Sequence, residues 1–212
     1  MEFTILHYAA GKGYVNIIKM FKDVLQFQEI NPLDKSGLYT PMLLASQFGK
    51  IEVVRYYIQN ESEEVWNRAS NSTDIFDNGI KPLHRAAKYG RNSVLKELLA
   101  HVNDTMPRNA VGETPLHYSA KYGRVKATEI LLNSTDNSSL FNSHAFKEDG
   151  YWTPLHHAAT NGKKSVVQLL LRKIVGNKNP KNKPGFKVRL SNIRLFHMPQ
   201  SNACYLASLH RS

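Results

Sequence analysis

The chain has 212 residues, of which 42% are apolar and 21% charged, a balance that indicates a folded protein and excludes an intrinsically disordered one. No run approaches the ~18 consecutive apolar residues of a membrane-spanning helix, and the single cysteine, Cys204, excludes an internal disulfide or a thiolate metal cluster. Of the net charge of +11, nine charges fall in residues 172–212, which hold nine Lys/Arg and no Asp or Glu, so the basic character belongs to the C-terminal tail.

One short pattern recurs five times along the chain. Its copies begin 36, 41, 33 and 39 residues apart, at Thr4, Thr40, Lys81, Thr114 and Thr153. They read TILHYAAGKGY, TPMLLASQFGK, KPLHRAAKYGR, TPLHYSAKYGR and TPLHHAATNGK. Self-similarity at this period indicates a solenoid, because one unit cannot bury its apolar faces alone and stacked neighbours bury them together.

Each copy predicts a short inner helix followed by a longer outer helix. Thr supplies an N-cap hydroxyl, Pro suits the first helical turn, and the small apolar residues allow a close approach to a neighbour. A glycine then ends the helix in a left-handed conformation. The segments that follow predict the outer helices, since their apolar residues recur at helical spacing: VNIIKMF, IEVVRYYI, NSVLKELL, VKATEILL and KSVVQLLL.

The irregular spacing of the copies predicts insertions between an outer helix and the next turn, within residues 60–76 and 133–147. We expect both segments to be surface loops, and the acidic residues Glu61, Glu63 and Glu64 of the first to be solvated. Copy two departs from the pattern, because Leu43 stands where the other copies have histidine.

The repeated T-P-L-H-x-A-A-x-x-G pattern, nearly intact in copies four and five, resembles the ankyrin repeat. The resemblance covers residues 2–171 and implies an all-α solenoid of about five helix–turn–helix repeats joined by β-turn fingers. The repeats would start near residues 2, 38, 79, 112 and 151, and residues 172–212 would form a basic, disordered tail. The stretch 81–173 is also similar to the cytoplasmic ankyrin arm of ankyrin-type transient receptor potential cation channels.

Four histidines, His7, His84, His117 and His156, occupy one slot of different copies. Such slots lie ~8–10 Å apart in stacked helices, whereas zinc needs its nitrogen ligands within ~2.1 Å, so the pattern predicts no metal site. The resemblance implies that this histidine is a hydrogen-bonding strut between repeats. No phosphate-binding loop, nucleophile motif or zinc-protease motif is present, so we expect no enzymatic activity and no cofactor.

Partner binding is the function that a periodic repeat surface favours. The resemblance implies that the residues just before each glycine end the inner helix on the concave face and that the fingers are exposed. Aromatic residues beside cations are favoured at interfaces. The predicted partner-binding residues on the concave face are Phe48, Lys88, Tyr89, Lys121, Tyr122 and Asn161. Those at the finger tips are Tyr39, Glu113 and Trp152.

Three interpretations of the whole chain remain open at this stage. It is part of the cytoplasmic arm of a channel, where further ankyrin repeats of a longer chain would be its neighbours. Alternatively, it is a free-standing ankyrin adaptor, or a nuclear regulator that uses its basic tail. The sequence favours a protein partner over nucleic acid. No secretory signal pattern follows Met1, so we expect a cytoplasmic location.

Overall fold

The computed structural model describes residues 4–134, 145–147 and 150–176. Its elements alternate short and longer helices, as five helical repeats require. In chain order they are α1 (Ile5–Lys12), α2 (Val15–Lys19) with a π-helical turn (Met20–Val24), α3 (Pro41–Phe48), α4 (Ile51–Asn60), α5 (Glu63–Trp66), α6 (Pro82–Tyr89), α7 (Asn92–Leu99), α8 (Pro115–Lys121), α9 (Val125–Asn133), β1 (Ala145–Lys147), β2 (Gly150–Trp152), α10 (Pro154–Thr160) and α11 (Lys164–Gly176).

Two helical layers form the scaffold, and the predicted all-α repeat architecture is confirmed. The inner helices α1, α3, α6, α8 and α10 pack on one another in that order. The outer helices α2, α4, α7, α9 and α11 each pack on the inner helix that precedes them and on neighbouring outer helices. The apolar core runs continuously between the layers, with Leu43, Leu83 and Leu116 wholly buried on the inner side and Val94 and Leu131 on the outer side.

Each inner helix starts and stops where its sequence predicts. The Thr40 hydroxyl accepts a hydrogen bond from the backbone N–H of Leu43 at 3.1 Å, and Pro41 occupies the first turn. Gly49 ends the helix with φ +74°, in the left-handed region that glycine adopts without steric cost. The short inner helices therefore owe their boundaries to local chemistry, and their stability to packing.

The repeated histidines join one repeat to the next. Nδ1 of His84 accepts a hydrogen bond from the Lys81 backbone N–H at 3.1 Å, so the proton lies on Nε2, which donates to the Glu113 carbonyl 3.1 Å away. His7 reaches the Tyr39 carbonyl in the same way at 3.2 Å, and His117 reaches that of Trp152 at 3.2 Å.

The fingers between repeats stack by backbone hydrogen bonds. The Asn71 N–H donates to the Gly37 carbonyl at 2.8 Å, and the Ala110 N–H donates to that of Asn78 at 3.1 Å. Gly37 has φ +69°, and a Cβ there would lie 2.2 Å from the Asn71 carbonyl oxygen. Glycine is therefore required at this position both by its backbone conformation and by the neighbouring finger.

The first insertion is more ordered than a surface loop. Residues Glu63–Trp66 form α5, and Trp66 is buried in the core. The expectation of solvated acidic residues is wrong for two of the three, because Glu61 forms an ion pair with Lys22 and Glu63 accepts a hydrogen bond from Asn103 Nδ2 at 2.6 Å. The insertion therefore fastens copies one and three to copy two.

Two further features lie outside the sequence-based expectation. Residues Ala145–Lys147 and Gly150–Trp152 of the second insertion form an antiparallel pair, with Phe146 opposite Tyr151. At the other end, α11 continues to Gly176, five residues past the boundary that we placed at residue 171. The remainder of the predicted basic tail, residues 177–212, lies outside the described residues.

Candidate partner-binding face

The predicted concave-face residues of the middle repeats lie together at the C-terminal ends of the inner helices. Lys88 lies in the last turn of α6, and its Nζ lies 5.1 Å from the ring centre of Tyr122 and 5.7 Å from that of Tyr89. A cation at this distance is attracted to the ring face. We call the five residues Phe48, Lys88, Tyr89, Lys121 and Tyr122 the lysine–aromatic stripe.

Solvent reaches the whole stripe. Phe48 is 48% exposed and Tyr122 37% exposed, and Lys88, Tyr89 and Lys121 are half-buried. The Phe48 ring rests against the preceding repeat, because a Cβ built on Gly11 would lie 3.6 Å from Phe48 Cδ2. The Phe48 ring is thus held on one side by the scaffold and exposes its other side to solvent, so a partner can contact it without a large entropic cost.

The arginines that follow the glycines hydrogen-bond to the backbone beside the stripe. Arg91 Nε donates to the Gln47 carbonyl at 2.8 Å, and Arg124 Nε donates to the Lys88 carbonyl at 3.0 Å. Each arginine side chain also crosses the glycine of the preceding repeat, since a Cβ on Gly90 would lie 3.1 Å from Arg124 Cδ. These arginine hydrogen bonds, which we call the arginine ties, satisfy carbonyls at the inner-helix ends and link successive repeats.

The contacts of Arg91 and Arg124 were not among the expectations from sequence. A periodic signal for the ties is nevertheless present, because a basic residue follows the glycine in copies two to five, at Lys50, Arg91, Arg124 and Lys163. A single basic residue would not indicate a structural contact. A basic residue that recurs after the glycine in four copies does.

Two finger residues and the last concave-face residue contact neighbouring side chains or backbone. Tyr39 is half-buried under the Arg85 guanidinium, whose carbon lies 4.8 Å from the ring centre. Trp152 packs at 5.3 Å from the His157 ring. Asn161 is exposed after α10 and donates through Nδ2 to the His157 carbonyl at 2.9 Å. Tyr39 and Trp152 therefore flank the inner helices, and Asn161 extends the stripe toward copy five.

Glu113 does not lie at an exposed tip, and that expectation is wrong for its side chain. It is 7% exposed, and its Oε1 lies 3.3 Å from Nε2 of His157 in the next repeat. The neighbouring Tyr118 hydroxyl is also enclosed, and burial together with the Glu113 carboxylate raises the pKa of Tyr118. Glu113 therefore joins copies four and five from within and is unavailable to a partner.

The repeated histidines are scaffold residues in the described part of the chain. Burial lowers the pKa of His84 to about 4, so its imidazole is neutral at physiological pH and serves as the strut described above. Among the described residues no group of three His, Cys, Asp or Glu side chains is placed to hold a metal ion.

Two family models match the chain: ankyrin repeats (three copies) at residues 57–140 and a single ankyrin repeat at residues 151–183. The chain belongs to the ankyrin-repeat family. The matches coincide with the stacked helix pairs, the left-handed glycines and the histidine struts of the structure, and together they span more than half of the sequence.

Curated relatives of two unlike kinds share these repeats. The probable E3 ubiquitin-protein ligase XBOS32 of Oryza sativa subsp. japonica is 32% identical over 168 residues, which is 78% of this chain and 30% of the ligase. Transient receptor potential cation channel subfamily A member 1 of Homo sapiens is 35% identical over 175 residues, which is 81% of this chain and 14% of the channel. The chain thus spans under a third of either relative. No helix among the described residues is long and apolar enough to cross a membrane.

Proposed function

We propose that this ankyrin-repeat chain is a non-catalytic protein-binding module whose partner docks on the lysine–aromatic stripe. The observation that carries the proposal is the placement of Lys88 between the rings of Tyr89 and Tyr122, on scaffold that the arginine ties hold in place. Aromatic residues beside cations are enriched at protein interfaces, where they supply contact area at low cost in side-chain entropy.

The test compares two triple variants by cross-linking in cells, followed by identification of the attached proteins. Phe48→Ala/Tyr89→Ala/Tyr122→Ala removes the rings of the stripe. Tyr14→Ala/Phe27→Ala/Phe76→Ala removes three exposed aromatic rings elsewhere. We expect cross-linked proteins to be lost from the first variant and kept by the second, with unchanged helical circular dichroism in both. Equal loss, or no loss, would exclude the stripe as the binding face.

We further propose that the repeats are part of the cytoplasmic arm of a transient receptor potential channel. Identity of 35% to such a channel over 81% of the chain supports this context. Full-length transcript sequencing tests the proposal: six apolar spans downstream are expected, and a stop codon directly after Ser212 would refute it.

A free-standing cytoplasmic ankyrin adaptor is the second candidate, and the match to a ligase of different architecture favours it. It shares the stripe as binding face, so the transcript and not the cross-linking experiment separates it from the channel. A nuclear regulator that acts through the basic tail is the third candidate. It requires nucleic-acid affinity that falls steeply with salt and disappears when residues 174–212 are deleted.

A further inference from the structure

The inner layer of the solenoid carries charge of one sign. The five segments that run from each Thr slot through the residue after the glycine contain nine Lys/Arg and no Asp or Glu: residues 4–14, 40–50, 81–91, 114–124 and 153–163. All 17 acidic residues of the chain lie elsewhere. The surface at the inner-helix ends is therefore positive independently of the basic tail.

The outer layer balances its charges between repeats. Arg55 Nε lies 3.1 Å from Glu97 Oε2 of the next repeat, Lys22 pairs with Glu61, and Arg68 pairs with Glu29. On the inner layer, Lys12, Lys88 and Lys121 have no ion pair among the described residues. The outer layer thus pairs several of its cations with acidic side chains, whereas the inner-helix segments contain no acidic side chain to pair with their lysines.

Only some of the inner-layer cations make contacts that the scaffold requires. Arg91 and Arg124 are committed to carbonyls at the helix ends, and Arg85 is buried against Tyr39. Lys88 and Lys121 lie in the last turn of their helices, where a cation also complements the helix dipole. That interaction leaves the ammonium groups in solvent, so they remain able to bind an anionic partner.

We propose that the lysine–aromatic stripe binds an acidic protein segment in polyproline II conformation, with carboxylates at about every third residue. Stacked helices are spaced ~8–10 Å apart, and polyproline II has three residues per turn with a rise of ~3.1 Å each, so side chains three residues apart lie on one face and match lysines one repeat apart. The residues between the carboxylates would meet Phe48, Tyr89 and Tyr122. This inference rests on the proposed function, whose partner class it specifies.

The stripe suits a carboxylate-bearing peptide better than a polyphosphate. A nucleic-acid strand carries a charge every ~3.4 Å, about three for each lysine that the stripe supplies. A sparsely acidic peptide supplies about one charge for each lysine.

Fluorescence anisotropy with fluorescein-labelled 15-residue peptides tests the proposal on the full chain. The spaced peptide has Glu at every third position, the clustered peptide has the same composition with its Glu residues adjacent, and a neutral peptide has Gln for Glu. We expect the spaced peptide to bind about 10-fold more tightly than the clustered one, since one lost contact of ~1.4 kcal/mol is tenfold in affinity. The basic tail is present throughout and attracts the spaced and clustered peptides alike.

Matched variants locate the binding. Lys88→Gln/Lys121→Gln should weaken binding of the spaced peptide about 10-fold. Lys96→Gln/Lys126→Gln removes the same charge from exposed positions of the outer helices and should weaken this binding less than 2-fold. Equal affinity for spaced and clustered peptides, equal effects of the two variants, or tighter binding of a single-stranded oligonucleotide at the same salt would each overturn the inference. If no peptide binds while the ring-removal variant still loses its cross-linked proteins, the binding face stands and the acidic partner class is wrong.

Discussion

The inner and outer layers are built from the same repeats, yet they treat charge in opposite ways. In the outer layer, Arg55 and Glu97 pair across a repeat boundary, and Lys22 and Arg68 also have acidic partners. In the inner layer, two arginines tie helix ends together while Lys88 and Lys121 remain without an acidic partner in the described chain. The comparison separates cations that make contacts within the scaffold from cations that remain available to a partner.

Removing the core between the layers should have the largest effect, because both layers depend on it. Leu95→Ala empties a fully buried site in α7 and should lower the free energy of unfolding by about 3 kcal/mol. Leu99→Ala, at a half-buried position of the same helix, should cost clearly less. Urea denaturation measures both. Similar losses would mean that the apolar core does not carry the stability of the two layers.

Acid should weaken the inner layer selectively. The buried His84 has a pKa of about 4, below the ~6.5 of an unfolded histidine, so the unfolded state binds more protons between these values. Stability should therefore be complete above pH ~6.5 and fall by about 3 kcal/mol as the pH approaches 4.

Two histidine substitutions test whether this pH dependence comes from the inner layer. His84→Gln should flatten the decline in urea midpoint between pH 6.5 and 4, whereas His101→Gln, at an exposed position after the outer helix α7, should leave it unchanged. Burial also lowers the pKa of His7, so part of the decline should remain, and a decline of undiminished size in His84→Gln would assign the titration to another group.

Much of this architecture could be predicted from sequence because it is periodic. The helix boundaries follow from Thr caps and left-handed glycines, and the histidine strut follows from a recurring slot. The features that sequence reasoning missed are aperiodic: Trp66 enters the core from an insertion, and Glu113 turns inward because His157 of the next repeat meets it. Such contacts depend on which repeats become neighbours, and no single repeat encodes them.

The inner-layer ties should contribute more to stability than the outer ion pairs. Arg91→Ala/Arg124→Ala removes two charged hydrogen bonds to carbonyls and should cost about 2 kcal/mol. Arg55→Ala/Arg68→Ala removes three surface ion pairs and should cost less than about 1 kcal/mol, most of it lost in 0.5 M salt. Thermal unfolding at two salt concentrations compares them, and a larger, salt-insensitive cost for the outer pair would contradict the assignment.

The unpaired lysines should matter least for stability. Lys88→Gln/Lys121→Gln removes two ammonium groups that have no ion pair among the described residues and should change the free energy of unfolding by less than about 0.5 kcal/mol. Urea denaturation of this variant measures the change, with the arginine-tie variant as reference. A loss as large as that of the tie variant would assign the lysines to the scaffold and leave no charge for recognition.

Titration of the isotope-labelled chain with the spaced acidic peptide, followed by NMR, addresses the division between the layers most directly. The predicted result is that backbone and tyrosine-ring shifts change at the C-terminal ends of α3, α6 and α8, around Phe48, Lys88 and Tyr122, while α4, α7 and α9 keep their shifts. Shift changes confined to the outer helices or to residues 177–212 would contradict the assignment of recognition to the inner layer.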